Sequence, residues 1–427
     1  MGGGGSGGAR TAYLTSYLRP LRPPVRLVHL ADLHLGFRQY QRLTPAGVNQ
    51  READVARTFA RAVEKTIALA PDLVVIAGDV FHVVRPPNPA ILHAFRQFMR
   101  LQAALPNTAV VMVAGNHDAP RTAETGSILK LFTECGVTVV DGAAERIALP
   151  QFDASVLAVP DVPGHVRPTL APDPSARYNV LLLHGEIEGT LPAGAATTER
   201  AGVEIPREEL RAPEWDYVAL GHYHVYREVA PNAYYSGSID YTSFDAWGER
   251  RDERALGIPG KGLVERDLAT GRHTFHPLEP SRALVDLPSV EGVGMNAGEL
   301  DAAVRAAVDA VAGGIDDKVV RLRALDVPRH VAREMDHKAL REYKRRALHF
   351  QFETVRPEVA RVSAGGAPGR RPSLADVVRE KLATRLLPGE VPRDAFVALG
   401  LKYLADADAA AAEAPVAALA GAGQEGA

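Results

Sequence analysis

Five short apolar runs constrain this chain more than any other feature: "VRLVHLA" from Val25, "DLVVIA" from Asp72, "AVVMVA" from Ala109, "NVLLLH" from Asn179 and "DYVALG" from Asp216. Their length and β-branched content are those of strands buried on both faces, since most have no polar side to show water. Each also ends in side chains able to hold a metal: Asp32 and His34 in "ADLHLG", Asp79 in "AGDVFH", Asn116 in "AGNHD", His184 in "LLHGE", and His222 with His224 in "LGHYH". Between the first three runs lie helical patterns, with apolar stripes at Val55, Phe59, Val63 and Ile67 and at Leu92, Phe95 and Met99. Strand alternating with helix predicts a layered α/β domain. In such sheets ligands bind beyond the carboxyl ends of the strands, so residues distant in sequence converge on one pocket.

In an extended segment residues i and i+2 share a face, so Asp32 with His34, and His222 with His224, are expected to aim two donors the same way. Seven ligands are too many for one four-coordinate ion and enough for two. Asp32 or Asp79 can bridge, Asn116 offers a neutral carbonyl oxygen, and the imidazoles offer nitrogen. Two cations about 3.5 to 4 Å apart clamp a phosphoryl centre, which predicts phosphoester hydrolysis. Mixed histidine, carboxylate and amide ligation suits manganese, iron or zinc better than magnesium. His117 follows ligand Asn116 directly, points away from that ion and is expected to face substrate. There it protonates the departing sugar oxygen or stabilises charge on the phosphate, with Asp118 holding its imidazole. A single histidine at a strand end is ordinarily structural, and five ordered blocks reverse that expectation. His29, His93, His165, His273, His276, His330, His337 and His349 are read as packing or surface residues, and Cys135 as a small buried filler.

At 427 residues two or three domains are expected. The Gly-rich opening, 1–24, reads as a flexible tail. A first domain, 25–280, is completed by short strands in "AYYSGSIDYTSF" and "GLVERDLATGRHTFHPL". A small second α/β domain, 281–356, comprises "ALVDL", a helix in "GELDAAVRAAVDAV", the alternating strand "VVRLRAL", a helix from Asp336 to Arg346 and the strand "ALHFQFETV". Residues 357–372 read as a linker, 373–405 as two amphipathic helices and 406–427 as a disordered tail. The helices carry Leu374, Val377, Val378, Leu382 and Leu386, then Phe396, Leu399, Tyr403 and Leu404; these stripes pack on each other, on the chain's own core or on a partner. A net charge of −3 excludes holding nucleic acid by a global field. Locally, between Lys318 and Arg346, ten Lys or Arg stand against four Asp or Glu. The stretch "GIPGKGL" lacks the spacing of a P-loop and no G-x-S-x-G occurs, so neither an ATP site nor a serine triad is expected. A lone cysteine permits no internal disulfide, and no apolar run approaches the roughly 20 residues of a membrane span, so a cytoplasmic protein is expected.

The ordered set "DLH", "GDVFH", "GNHD", "HGE" and "GHYH" resembles the calcineurin-like metallophosphoesterases. His82 closing "GDVFH", the "YYSGSIDYTSF" segment and "VPRHVAREMDHKALREYKRRALHF" resemble their SbcD branch, related to the Mre nucleases. The likeness runs from Arg26 to Tyr403. It implies a layered β-sandwich flanked by helices, with a small α/β cap and a C-terminal helix pair. It implies Asp32, His34, Asp79, Asn116, His184, His222 and His224 as ligands, the two carboxylates bridging two Mn2+ ions, and catalytic roles for His117 and for His82, the latter positioning the phosphate. The cap would bind DNA, with Arg321, Arg323, Arg329, Arg333, Lys338, Lys344 and Arg345 meeting phosphates rather than bases. The helix pair (Leu374, Val377, Val378, Leu382, Phe396, Leu399, Tyr403) would dock on an SbcC-like coiled-coil ATPase, within a heterotetramer built on a homodimer. The implied activity is duplex 3'-5' exonuclease and single-strand or hairpin endonuclease, beside the nucleoid, in DNA repair and recombination. A phosphoesterase of small phosphodiesters or phosphoproteins, and a non-enzymatic scaffold for an ATPase, are the alternatives.

Overall fold

A computed structural model of the chain describes residues 25–119, 126–162, 164, 168–190, 204–357, 373–385 and 392–413. The five apolar runs form the strands Arg26–Leu30, Leu73–Ala77, Ala109–Val113, Tyr178–His184 and Tyr217–Gly221, in which every residue but Arg26 and Ala109 is buried. They are shared between two six-stranded sheets. The first runs His273–Pro277, Gly262–Asp267, Arg26–Leu30, Leu73–Ala77, Ala109–Val113, Thr138–Val140; the second runs Arg227–Ala230, Ala233–Tyr235, Tyr217–Gly221, Tyr178–His184, Ala154–Val159, Glu145–Leu149. The five motif-bearing strands pair in parallel within each sheet, so each sheet collects their carboxyl ends along one edge. Leu27, Val75 and Val111 from one sheet and Val156, Val180 and Ala219 from the other share a single buried cluster, which makes the pair a β-sandwich.

Helices Gln50–Leu69 and Asn88–Ala104 cover the outer face of the first sheet through Val55, Phe59 and Val63 and through Ala90, Ala94 and Phe98. The stripe expected from Leu92, Phe95 and Met99 is therefore not the buried one: Leu92 is 53% and Met99 45% exposed. That helix carries two apolar stripes, and the small alanines of the other let it approach the sheet closely. The outer face of the second sheet is covered by a two-stranded parallel ribbon, Glu186–Ile187 with Glu204–Ile205, and by the chain that follows, with Ile187, Ile205, Leu210 and Trp215 packed upon it. Helix Ala246–Leu256, "AWGERRDERAL", was not legible in the sequence because so charged a stretch shows no apolar stripe.

A third sheet holds Leu284–Asp286, Val290–Glu291, Val319–Leu325 and His349–Thr354, each neighbour parallel to Val319–Leu325. Helices Ala297–Asp309, Arg329–Glu334 and His337–Arg346 accompany it, around Leu300, Val304, Leu322 and Phe350. It is seated on the sandwich by several contacts. Trp247 packs with Val319 and Leu348, and its Nε1 donates to Gln351 Oε1 at 2.7 Å. Arg42 Nη2 donates to the carbonyls of Arg345 and Ala347 at 2.7 and 2.8 Å, and Arg282 grips Asp54 at 2.9 Å. The chain through Pro357 is accordingly one compact unit.

The other unit contains helices Leu374–Thr384 and Arg393–Glu413. They pack on each other where Leu382 lies against the bare Gly400, so close that a Cβ there would stand 2.2 Å from Leu382 Cδ1. Val378, Leu382 and Phe396 are half-buried, whereas Leu374, Val377, Leu399 and Tyr403 are exposed. The second helix continues to Glu413, past the expected end at 405, because "ADADAAAAE" is rich in the best helix former. The 1–24 tail, the linker from 358 to 372, Leu386, His165 and the tail beyond 413 lie outside the described residues. Among the described residues no helix is long and apolar enough to cross a membrane.

Candidate metal centre

The sandwich brings all seven expected ligands together, but not by extended geometry. Asp32, His34, Asp79 and His222 have φ of 51°, 45°, 50° and 109°, so four of the ligands lie in the left-handed region rather than in continued strands. Each such residue costs about 1–3 kcal/mol, and strain of this kind gathers where side chains must be re-aimed for function. The turns are stitched together: Asp32 N donates to Gly78 O at 3.1 Å and His34 N to Asp79 O at 2.9 Å. Gly115, before Asn116, is required by close approach, since a Cβ on it would stand 2.1 Å from Asp79 Oδ1.

Metal-competent ring nitrogens and side-chain oxygens crowd together in this cradle. His184 Nδ1 donates to the Ala77 carbonyl at 2.8 Å, which turns Nε2 toward Asn116 Oδ1 at 3.0 Å and Asp79 Oδ2 at 3.4 Å. His224 Nδ1 faces Glu249 Oε1 at 3.3 Å, and its Nε2 stands 2.9 Å from His34 Nε2. His222 Nε2 is buried with no hydrogen-bond partner among the described residues, and the Asp32 carboxylate accepts the His222 backbone N–H at 3.0 Å. Three overlapping groups have metal-binding spacing: Asp32, His34 and His224; Asp32, Asp79 and His184; and His34, His82 and His117.

The electrostatics agree. Burial pushes Asp32 up to about 6, with Asp79 adding to the shift while His224 and His184 oppose it. Burial, then the neighbouring His184, lowers His222 to about 3, and burial with the surrounding imidazoles holds His34 well below its ordinary range. Burial works against charge on His184 and His224 too, but Asp79 with Asp32 raises His184, and Glu249 with Asp32 raises His224. Imidazoles and carboxylates packed this closely are a donor set that a divalent cation completes, displacing protons as it binds.

Two assigned roles need correction or refinement. Asp118 does not serve the His117 ring in the expected way. Its fully buried carboxylate accepts the backbone N–H groups of Val80 and Phe81 at 2.9 Å and of Gly115 at 3.2 Å, locking the Asp79 turn to the Asn116 turn. Burial and then Asp79 raise it to about 7. His117 is oriented instead by Nδ1 donating to the His82 carbonyl at 2.8 Å and by its backbone N–H on Asp79 Oδ1 at 2.9 Å. The His82 and His117 rings stack at 5.2 Å, and His82 Nδ1 lies 3.3 Å from His34 Nδ1, so both half-buried histidines border the ligand cluster. A cleft opens over them, lined also by Thr242, Phe244, Asp245 and Arg251; Phe244 is 68% exposed at its rim. His29, read as a core residue, pairs Nδ1 with the Tyr217 hydroxyl at 3.0 Å.

Residues 25–226 match the calcineurin-like phosphoesterase family. The chain carries a calcineurin-like metallophosphoesterase domain. Among similar proteins, the DNA double-strand break repair protein Mre11 of Methanocaldococcus jannaschii is 28% identical over 46% of this chain and 50% of its own length. The Mre11 of Methanococcus maripaludis is 34% identical over 24% of this chain and 25% of its own. The SbcD component of the SbcCD nuclease of Staphylococcus epidermidis is 25% identical over 61% of this chain and 71% of its own. The chain spans about half the length of most of the curated relatives it matches.

Beyond the phosphoesterase domain, the third sheet withdraws Arg321 from the expected basic contact set. Its guanidinium is bidentate on Asp286, 2.9 Å to each oxygen, and lies 4.8 Å over the Trp247 ring. Arg323 is half-buried, and Arg345 pairs with Glu342 at 2.6 Å while remaining exposed. Arg329, Arg333, Lys338 and Lys344 are exposed. The residues that sequence reasoning missed are Glu249 and Lys261, which stand behind His224; nothing local in "GERRDERAL" or "GIPGKGL" marks them.

Proposed function

We propose that the chain is a two-metal DNA nuclease acting with an SbcC-like coiled-coil ATPase in DNA repair. The observation that carries this reading is the meeting of metal-competent atoms from distant segments, His34 Nε2 with His224 Nε2 at 2.9 Å and His184 Nε2 with Asn116 Oδ1 at 3.0 Å, beneath an open cleft. Two manganese ions held by Asp32, His34, Asp79, Asn116, His184, His222 and His224 would polarise a phosphodiester and activate water near neutral pH. His117 donates a proton to the departing sugar oxygen, and His82, stacked beside it, positions the phosphate. Phe244 offers its exposed ring to a base flanking the scissile bond, and Arg329, Arg333, Lys338 and Lys344 meet phosphates farther along the strand. The exposed stripe of Leu92 and Met99 supports a homodimer formed through the phosphoesterase domain, and the exposed face of the helix pair supports docking on the ATPase. The similarity to Mre11 proteins and to the SbcD component of an SbcCD nuclease favours DNA over small phosphodiesters or phosphoproteins.

The test is hydrolysis of an end-labelled blunt duplex by the purified chain with manganese, beside His117→Ala. Loss of a general acid predicts a fall of about 10²–10⁴-fold with manganese uptake intact. A fully active His117→Ala would refute the acid role, and cleavage of a small phosphodiester but no DNA would replace the substrate.

A further inference from the structure

Lys261 is the lysine of the "GIPGKGL" stretch, and its side chain is 1% exposed. A buried ammonium requires partners. Lys261 has three: it donates to Glu249 Oε2 and to the His224 carbonyl, the latter at 2.7 Å, and lies 3.2 Å from Glu253 Oε1. Glu249 and Glu253 are one turn apart on helix Ala246–Leu256, a like-charge spacing that repels until a cation sits against both. The Tyr241 hydroxyl satisfies Glu253 Oε2 at 2.7 Å, and Glu249 Oε1 is turned to His224 Nδ1 at 3.3 Å. His224 is thus gripped at both ends, its carbonyl by Lys261 and its ring by Glu249, while Nε2 remains aimed into the ligand cluster.

We propose that Glu249, clamped by Lys261, is a positioning residue of the metal centre that fixes the rotamer and tautomer of the His224 ring. The inference rests on reading the cluster as a metal site and not on the identity of the substrate. A carboxylate on the remote nitrogen of a ligating histidine orients the ring and strengthens it as a donor. The Lys261 ammonium sits on the other oxygen of the same carboxylate, so Glu249 is held in place from behind while Oε1 faces the ring. The same helix meets the third sheet through Trp247, so its seating also reaches His224 by way of Glu249.

The experiment is manganese titration by calorimetry of the full chain and of Glu249→Gln, with Glu253→Gln as contrast. Glu249→Gln is expected to weaken the ion held by His224 about 10- to 100-fold. Glu253→Gln removes a carboxylate from the same lysine without touching His224, and is expected to lower the Tm but leave manganese affinity unchanged. Equal effects of the two variants on affinity, or a Glu249→Gln titration that overlays the native one, would overturn the proposal. If Glu249→Gln does not fold, Glu249→Asp keeps the charge against Lys261 while drawing it back from the ring, and native affinity in that variant overturns the proposal equally. Binding of one ion by the native chain would sink the two-metal reading, and the shift in that ion's affinity still judges Glu249. Absence of DNA cleavage would bear on the substrate alone.

Discussion

Asp79 answers to several demands at once. Its backbone is left-handed, one oxygen accepts the His117 N–H, the other faces His184, and its charge pushes both Asp32 and Asp118 upward. Such a residue is placed for a ligand and against stability. Asp79→Asn keeps an acceptor for His117, tolerates the positive φ and removes the repelling charge. It is expected to stabilise the metal-free chain by about 0.5–2 kcal/mol while losing manganese. Thermal melts in chelator together with calorimetry check this; a lower Tm would mean that the carboxylates do not strain the site. At the rim, Phe244→Ala removes a stacking face worth about 1–3 kcal/mol per base, so KM for DNA should rise roughly tenfold or more while turnover of a small phosphodiester stays level. Parallel loss on both substrates would make Phe244 structural. The seven expected ligands were legible as metal-competent side chains because each closes an apolar run; the orienting partners were not, since Asp118, Glu249 and Lys261 act through bonds to residues distant in the sequence or to the backbone.

At the scale of elements, what periodicity can and cannot say is visible in two places. Helix Asn88–Ala104 has apolar residues on two sides, and only docking chose Ala94 and Phe98 as the inner one. In strand Val319–Leu325, alternation correctly set Val320, Leu322 and Ala324 inward, but the fate of Arg321 depended on register, which places it directly opposite Asp286. That pair is a cross-strand tie. Burial works to raise Asp286, and Arg321 with Arg254 prevails and holds its carboxyl below the usual range. A depressed carboxylate stabilises the fold above its unfolded pKa of about 3.9 and loses that contribution as pH falls through the folded value. The Tm difference between the native chain and Asp286→Asn should therefore be flat near neutrality and shrink below about pH 4. A gap that widens in acid would show that the pair does not carry the charge state assigned to it.

Across the whole molecule, the sandwich and third sheet form one compact unit and the helix pair another. The exposed Leu374, Leu399 and Tyr403 on the pair predict that deleting residues 373–405 abolishes co-purification with an SbcC-like ATPase while manganese uptake stays native. An unchanged partner yield would end the docking idea. By itself the sequence determined the α/β class, the five buried strands and the metal-competent side chains that close them, because local hydrophobic pattern and residue chemistry suffice for those; the parallel pairing that gathers the strand ends is a property of the sheets. Tertiary structure alone decided the left-handed turns that re-aim Asp32, His34, Asp79 and His222, the pairing of half-buried Arg321 with Asp286 over Trp247, and the Lys261–Glu249 grip on His224. These depend on which segments meet across sheets, and segments tens to nearly two hundred residues apart leave no local periodicity from which to read it.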